Sequence, residues 1–183
     1  MPVQIGQKPD SNFDNPLQLL SDCHRRIETF LGVLEQVANE CGSRPLSSQE
    51  RQSFERALHY FQNSAPKHTA DEEDSLFPRL RASEHPSAQT LLERMELLEA
   101  EHITAAADHE IVDSLGRQLL ENGLFGQREC AEFREVVNRL SEMYRHHIGV
   151  EDSELFPLAA RVLSGEERAS IGREMARRRG IKR

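Results

Sequence analysis

The chain has no tryptophan, and only two tyrosines, three lysines and three cysteines among its 183 residues. β-Branched residues are scarce as well, with Val, Ile and Thr numbering 8, 7 and 4. Strands draw on aromatic and β-branched side chains, so a sheet-rich fold is excluded. The cysteines, Cys23, Cys41 and Cys130, are odd in number and include no CxxC, which argues against both a disulfide framework and a thiolate zinc site. No apolar run approaches the ~20 residues that cross a bilayer. The opening MPVQIGQKPD also lacks the basic start and apolar segment of a signal peptide. A cytoplasmic protein with no membrane partner is expected. Excess positive charge is missing too, because 23 Lys and Arg face 31 Asp and Glu for a net charge of −8. Such a molecule repels phosphate backbones, which disfavours a nucleic-acid partner. Basic residues concentrate only near the end, at Arg173, Arg177, Arg178, Arg179, Lys182 and Arg183, and this stretch reads as a solvated tail.

What is abundant is helix-forming. Leu, Ala, Glu, Arg and Lys fill nearly half the chain, as in long-helix proteins, and the length suits one domain. Asn15-Pro16 marks a helix start, an N-cap residue followed by a ring already set to helical φ, and Cys41-Gly42 closes that segment. Ser47 with Glu50 has capping-box spacing and opens a second helix over about 48–81 that Pro66 should kink. Pro86 opens a third, ended by Asn122-Gly123, and a fourth runs over about 127–162. Ser164 with Glu167 repeats the capping-box spacing before a short last helix. The expected organisation is a loose arm over 1–14, an all-α, up-down four-helix bundle over 15–163, and a short helix with a basic tail over 164–183.

The apolar stripes of these helices carry unexpected residues. In the first, the positions that share a face read Leu17, Leu20, His24, Ile27, Leu31, Leu34 and Ala38. The second gives Phe54, Leu58, Phe61, Ala65, His68, Glu72 and Leu76, the third Leu91, Met95, Leu98, His102, Ala105, His109 and Val112, and the fourth Val137, Leu140, Tyr144, His147, Glu151 and Leu155. Each helix thus places histidine on the face it must bury. An internal repeat underlies the pattern: HTADEEDSLFP from His68 and HIGVEDSELFP from His147 align His, Glu and LFP at an offset of 79, and His24 precedes His102 by 78. Two pseudo-symmetric αα-hairpins follow, each with one lone histidine and one HxxxE.

Histidine and glutamate four residues apart lie one turn apart on one face, so both reach the same point in a bundle core. A buried carboxylate without compensation costs roughly several kcal/mol, and no Lys or Arg sits on a seam. A cation is the natural counter-charge. One HxxxE arises readily by chance, whereas six residues in duplicated register do not. His24, His68, Glu72, His102, His147 and Glu151 are therefore the candidate metal ligands. The symmetry suggests two equivalent ions bridged by the glutamates, with open positions for oxo, hydroxo or exogenous ligands. Iron suits this donor set, with manganese and zinc as weaker fits. His146 lacks the glutamate at i+4, His59 and His85 fall off the seams, and His109 is too far along its helix. Asp71, Glu73 and Asp74 read as a solvated acidic face. Tyr144 and Tyr60 could pack as core, hydrogen-bond a metal-bound group or ligate a ferric ion.

The order H, HxxxE, H, HxxxE, met by His24, His68 with Glu72, His102, and His147 with Glu151, resembles the hemerythrin-like, or HHE cation-binding, family over about 16–162. The resemblance implies a non-haem di-iron centre with bridging glutamates. Oxygen-carrying members place another histidine four residues after the one on the third helix, where this chain has Ala106. Fewer protein ligands leave more open positions, which implies reaction with peroxide, nitric oxide or dioxygen in oxidative or nitrosative stress rather than carriage. Any enzymatic role would be that of an oxidoreductase consuming peroxide or nitric oxide. A sensor of oxygen, redox state or iron is the alternative. An iron-handling role similar to iron-sulfur repair proteins is another, although the arm before the first helix lacks their cysteine.

Overall fold

The computed structural model describes residues 12–182 and is an all-α helical bundle. Most of the arm expected over 1–14, and Arg183 of the basic tail, lie outside the described residues. The helices are α1 (Pro16–Glu40), α2 (Ser48–Asn63), α3 (Ala65–Asp71), α4 (Phe77–Ala82), α5 (Pro86–Gln89), α6 (Leu92–Asn122), α7 (Gln127–Val150), α8 (Phe156–Val162) and α9 (Gly165–Arg178). Wider π turns occupy Glu72–Leu76, between α3 and α4, and Glu151–Leu155, between α7 and α8. α1 packs on α2 and α7, and α6 packs on α2 and α7, which closes a ring of four around one axis. Among the described residues no helix is long and apolar enough to cross a membrane.

Local chemistry accounts for most of the boundaries. Both capping boxes form: the Ser47 and Ser164 hydroxyls accept from the Glu50 and Glu167 backbone N–H groups, while each glutamate accepts from its serine's backbone N–H. Gly123 ends α6 in the left-handed region at φ 80, where a side chain would be strained. The second arm breaks at Ser64, so that Pro66 falls in the first turn of α3, where its missing N–H is harmless. The helix expected to open at Pro86 instead makes one turn and restarts at Leu92. The Thr90 hydroxyl donates to the Ser87 carbonyl there and competes with the helical ladder. The two π turns reflect the repeated LFP. Proline removes a donor and crowds the carbonyl four residues back. In each copy the turn widens before the proline, and the backbone N–H of Phe77 donates to Glu72 and that of Phe156 to Glu151, five residues back.

Three readings of the sequence need correction. Cys41 at the end of α1 and Cys130 in the first turn of α7 form a disulfide, with Cα atoms 5.6 Å apart, leaving Cys23 as the buried free thiol. The pair meets because the bundle brings two helix ends together across 89 residues, which spacing rules cannot reveal. The basic end is not simply a solvated tail. Arg178 and Arg179 close on Asp71 at 2.9 and 2.6 Å, and Arg178 also donates to the Ser75 hydroxyl at 2.8 Å. Asp71 is accordingly fully buried, and of the acidic run only Asp74 keeps the exposed face expected of all three.

Candidate metal centre

The apolar interior is two clusters with a polar layer between them. One contains Ile27, Ala65, Ala105 and Tyr144, and the other contains Leu20, Leu76, Leu98 and Leu155. In every arm the residues between those marker positions are the ones the seams singled out. His24, His68, Glu72, His102, His147 and Glu151 are all buried, and both glutamates have no exposed surface. Their ligand-type atoms fall into two groups, each within 4.8 Å: His24, His68, Glu72 and Glu151 in one, and Glu72, His102, His147 and Glu151 in the other. Both groups share both glutamates.

Distances give the same picture. His24 Nε2 lies 3.1 Å from Glu151 Oε2 and 3.8 Å from Glu72 Oε1, His68 Nε2 3.3 Å from Glu72 Oε1, His102 Nε2 3.5 Å from Glu72 Oε2, and His147 Nε2 3.3 Å from Glu151 Oε2. All four Nε2 atoms point at the carboxylates. Among the described residues, the four glutamate oxygens and His24 Nε2 have no hydrogen-bond partner. Buried polar atoms are ordinarily satisfied, and an unmatched buried carboxylate is among the more costly defects a core can hold. Imidazole nitrogens and carboxylate oxygens converging on two points fit a site for two metal ions.

Three of the imidazoles are oriented from behind. His24 Nδ1 donates to Asp152 at 3.0 Å, His102 Nδ1 to Glu73 at 2.8 Å and His147 Nδ1 to Glu101 at 2.8 Å. An ionised carboxylate only accepts, so each of these rings keeps a proton on Nδ1, and Nε2 is the atom turned to the centre. Reading the sequence missed all three acids. Glu73 and Asp152 had left a signal, since each follows the HxxxE glutamate in the same repeat register and each reaches the lone histidine of the opposite half. Glu101 left none.

The electrostatics are those of a cluster sharing too few counter-charges. Burial and the proximity of Glu151 push the Glu72 carboxyl up to about 8. Glu151 is buried as deeply, yet His147 and His24, whose Nε2 atoms stand 3.3 and 3.1 Å away, outweigh that and hold it below the ordinary carboxylate range. Burial opposes protonation of His24, but Asp152, Glu151 and Glu72 carry it up to about 12, while His147 rises to about 9 on the same balance with Glu151. His68 and His102 fall below the usual imidazole value, chiefly through burial. At neutral pH the metal-free centre therefore holds protons on Glu72, His24 and His147 that an incoming cation must displace. Metal binding should release protons and tighten as pH rises from 6 to 8. Calorimetric titrations in buffers of different ionisation enthalpy measure this directly, and a proton count of zero would contradict it.

Other candidates sit elsewhere. The Tyr144 hydroxyl pairs with His109 Nε2 at 3.0 Å, and its ring stands 6.4 Å from that of His147. Tyr60 donates to the Cys23 carbonyl at 3.4 Å and stacks on Phe30. His109 lies against Phe61, whereas His59, His85 and His146 are exposed. A mainly apolar cavity of about 210 Å³ runs beside Phe61, Ala65, Ala106 and Tyr144 and is lined by His102, so it reaches one of the four buried rings from outside the polar layer. Ala106 stands on its wall.

An all-α bundle whose core holds two histidine–glutamate groups sharing their carboxylates defines a metal-binding helical protein. Residues 15–159 match the hemerythrin HHE cation binding domain, and the chain belongs to that family. A relative described as an uncharacterized protein of Haemophilus influenzae is 27% identical over 172 residues, covering 94% of each chain.

Proposed function

We propose that the protein carries two iron ions bridged by Glu72 and Glu151, with His24 and His68 holding one and His102 and His147 the other. In the cytoplasm, this centre would react with peroxide, nitric oxide or dioxygen in oxidative or nitrosative stress. The observation that supports this most is the sharing of both buried, otherwise unpartnered carboxylates by the two groups. When bound, such ions supply Lewis acidity and one-electron chemistry with exchangeable positions. The chain itself contributes the fixed rings, the dry surroundings and an entrance. Asp152, Glu73 and Glu101 hold their imidazoles in one tautomer, the apolar clusters lie on either side of the polar layer, and the mainly apolar cavity of about 210 Å³ beside His102 would receive a small ligand. Ala106 keeps that wall low, consistent with ligand access rather than a saturated centre.

A second reading, a sensor that binds without turnover, draws on the contact of α9. Asp71 immediately precedes Glu72 and is held by Arg178 and Arg179, so any shift of the Glu72 segment on metal loading would be passed to the end of α9. Metal analysis with an optical spectrum of iron-loaded protein tests the centre. About two irons per chain with a near-ultraviolet bridge band is expected, and one or none would overturn it. Consumption of added peroxide or nitric oxide separates the two readings, since a sensor binds its ligand and leaves it intact.

A further inference from the structure

The repeat superimposes His24 on His102, His68 on His147, Glu72 on Glu151 and Glu73 on Asp152. The outer bracing follows that symmetry for the lone histidines: Glu73 holds His102, Asp152 holds His24, each crossing to the opposite half. It fails for the other pair. His147 donates to Glu101, the residue just before His102. The residue just before His24 is Cys23, a buried free thiol. His68 Nδ1, in a residue only 4% exposed, has no hydrogen-bond partner among the described residues.

Both glutamates belong to both groups, so the two positions differ in residue composition only through their histidines. At the His102–His147 position both rings are locked by carboxylates that fix the tautomer and increase the donor strength of Nε2. At the His24–His68 position only one ring is so held, and His68 must be ordered by the ion itself. Loss of such an outer partner typically costs about 10–100-fold in metal affinity.

We infer that the two metal positions are unequal: the His102–His147 position fills first and retains its ion, the His24–His68 position exchanges, and the placement of Glu101 opposite Cys23 sets the difference. This deepens the two-ion reading and rests on it. The exchangeable position is the one that would be empty when metal is limiting, so the form present at low iron would hold one ion. Glu101 acts here as a positioning residue for His147.

The test is titration of metal-depleted protein with Zn(II) against a chromophoric chelator, together with Co(II) spectra. Wild type should show two classes of site separated by about 10–100-fold, and stopped-flow removal by excess chelator should be biphasic. Glu101→Gln, at a half-exposed position that leaves the core intact, should weaken the tight class until the classes merge and should alter the Co(II) bands of the first equivalent. Cys23→Ser should change neither class. His68→Ala should keep one tight equivalent, whereas His147→Ala should lose it. Failure of wild type to bind any Zn(II) or Co(II) would sink the metal-centre reading itself. Two ions bound and released in a single class, or two classes that ignore Glu101→Gln, would overturn the inequality alone. Loss of the weak class in Cys23→Ser would overturn it too, by making the thiol a donor to that position.

Discussion

Glu72→Ala and Glu151→Ala should each leave a protein that retains neither ion through gel filtration, because each carboxylate serves both groups. A ligand lost from a single position should cost more than the roughly 10–100-fold penalty of losing an outer partner, and here one substitution removes a ligand from two. His147→Ala should also lose most of its metal, while His146→Ala should stay near wild type, since His146 is exposed one residue away and belongs to neither histidine–glutamate group. Elemental analysis of folded variants checks the series. Two ions retained by Glu151→Ala would mean that the glutamates do not bridge, and loss of metal in His146→Ala with retention in His147→Ala would invert the repeat register on which the whole assignment stands.

Much of this architecture was legible from periodicity. Capping boxes at Ser47 and Ser164, the Pro16 start and the Gly123 stop are local signals that tertiary packing did not override. The polar layer was legible for a different reason: histidine and glutamate on an apolar stripe contradict burial, and duplication at 78 and 79 residues makes coincidence untenable. What escaped was contact between elements distant in sequence. Asp71 belongs to an acidic run that resembles a solvated face, and only the return of α9 across 107 residues shows that Arg178 and Arg179 bury it. The Cys41–Cys130 bridge depends on which helix ends meet. Glu101 depends on the rotation of α6 against α7, because a glutamate beside a histidine in sequence points away from it on a helix and reaches His147 only across the interface.

Chelation of the loaded protein should lower its melting temperature by about 10 °C or more. Binding to the folded state alone contributes about 4 kcal/mol at a free-metal concentration 1,000 times Kd. In a chain of this size each kcal/mol is worth roughly 2–4 °C, and a second ion adds to the effect. The metal-free state should also separate the two glutamates. Ionised Glu151 is matched by His24 and His147, so Glu151→Ala leaves protonated imidazoles without their acceptor and should destabilise the metal-free fold, by about 3–5 kcal/mol on the scale of a broken buried pair. Glu72 instead sits mostly protonated at neutral pH with its carboxyl near 8, and its removal takes away a poorly satisfied group. Glu72→Ala should therefore cost the metal-free protein far less than Glu151→Ala, although both abolish the stabilisation by metal. Differential scanning calorimetry of wild type and both variants, with verified metal content, tests both expectations. Equal melting of loaded and depleted wild type is irreconcilable with the proposed two-metal centre, and equal losses from the two alanines would show that the glutamates share their charge evenly rather than being set apart by His24 and His147.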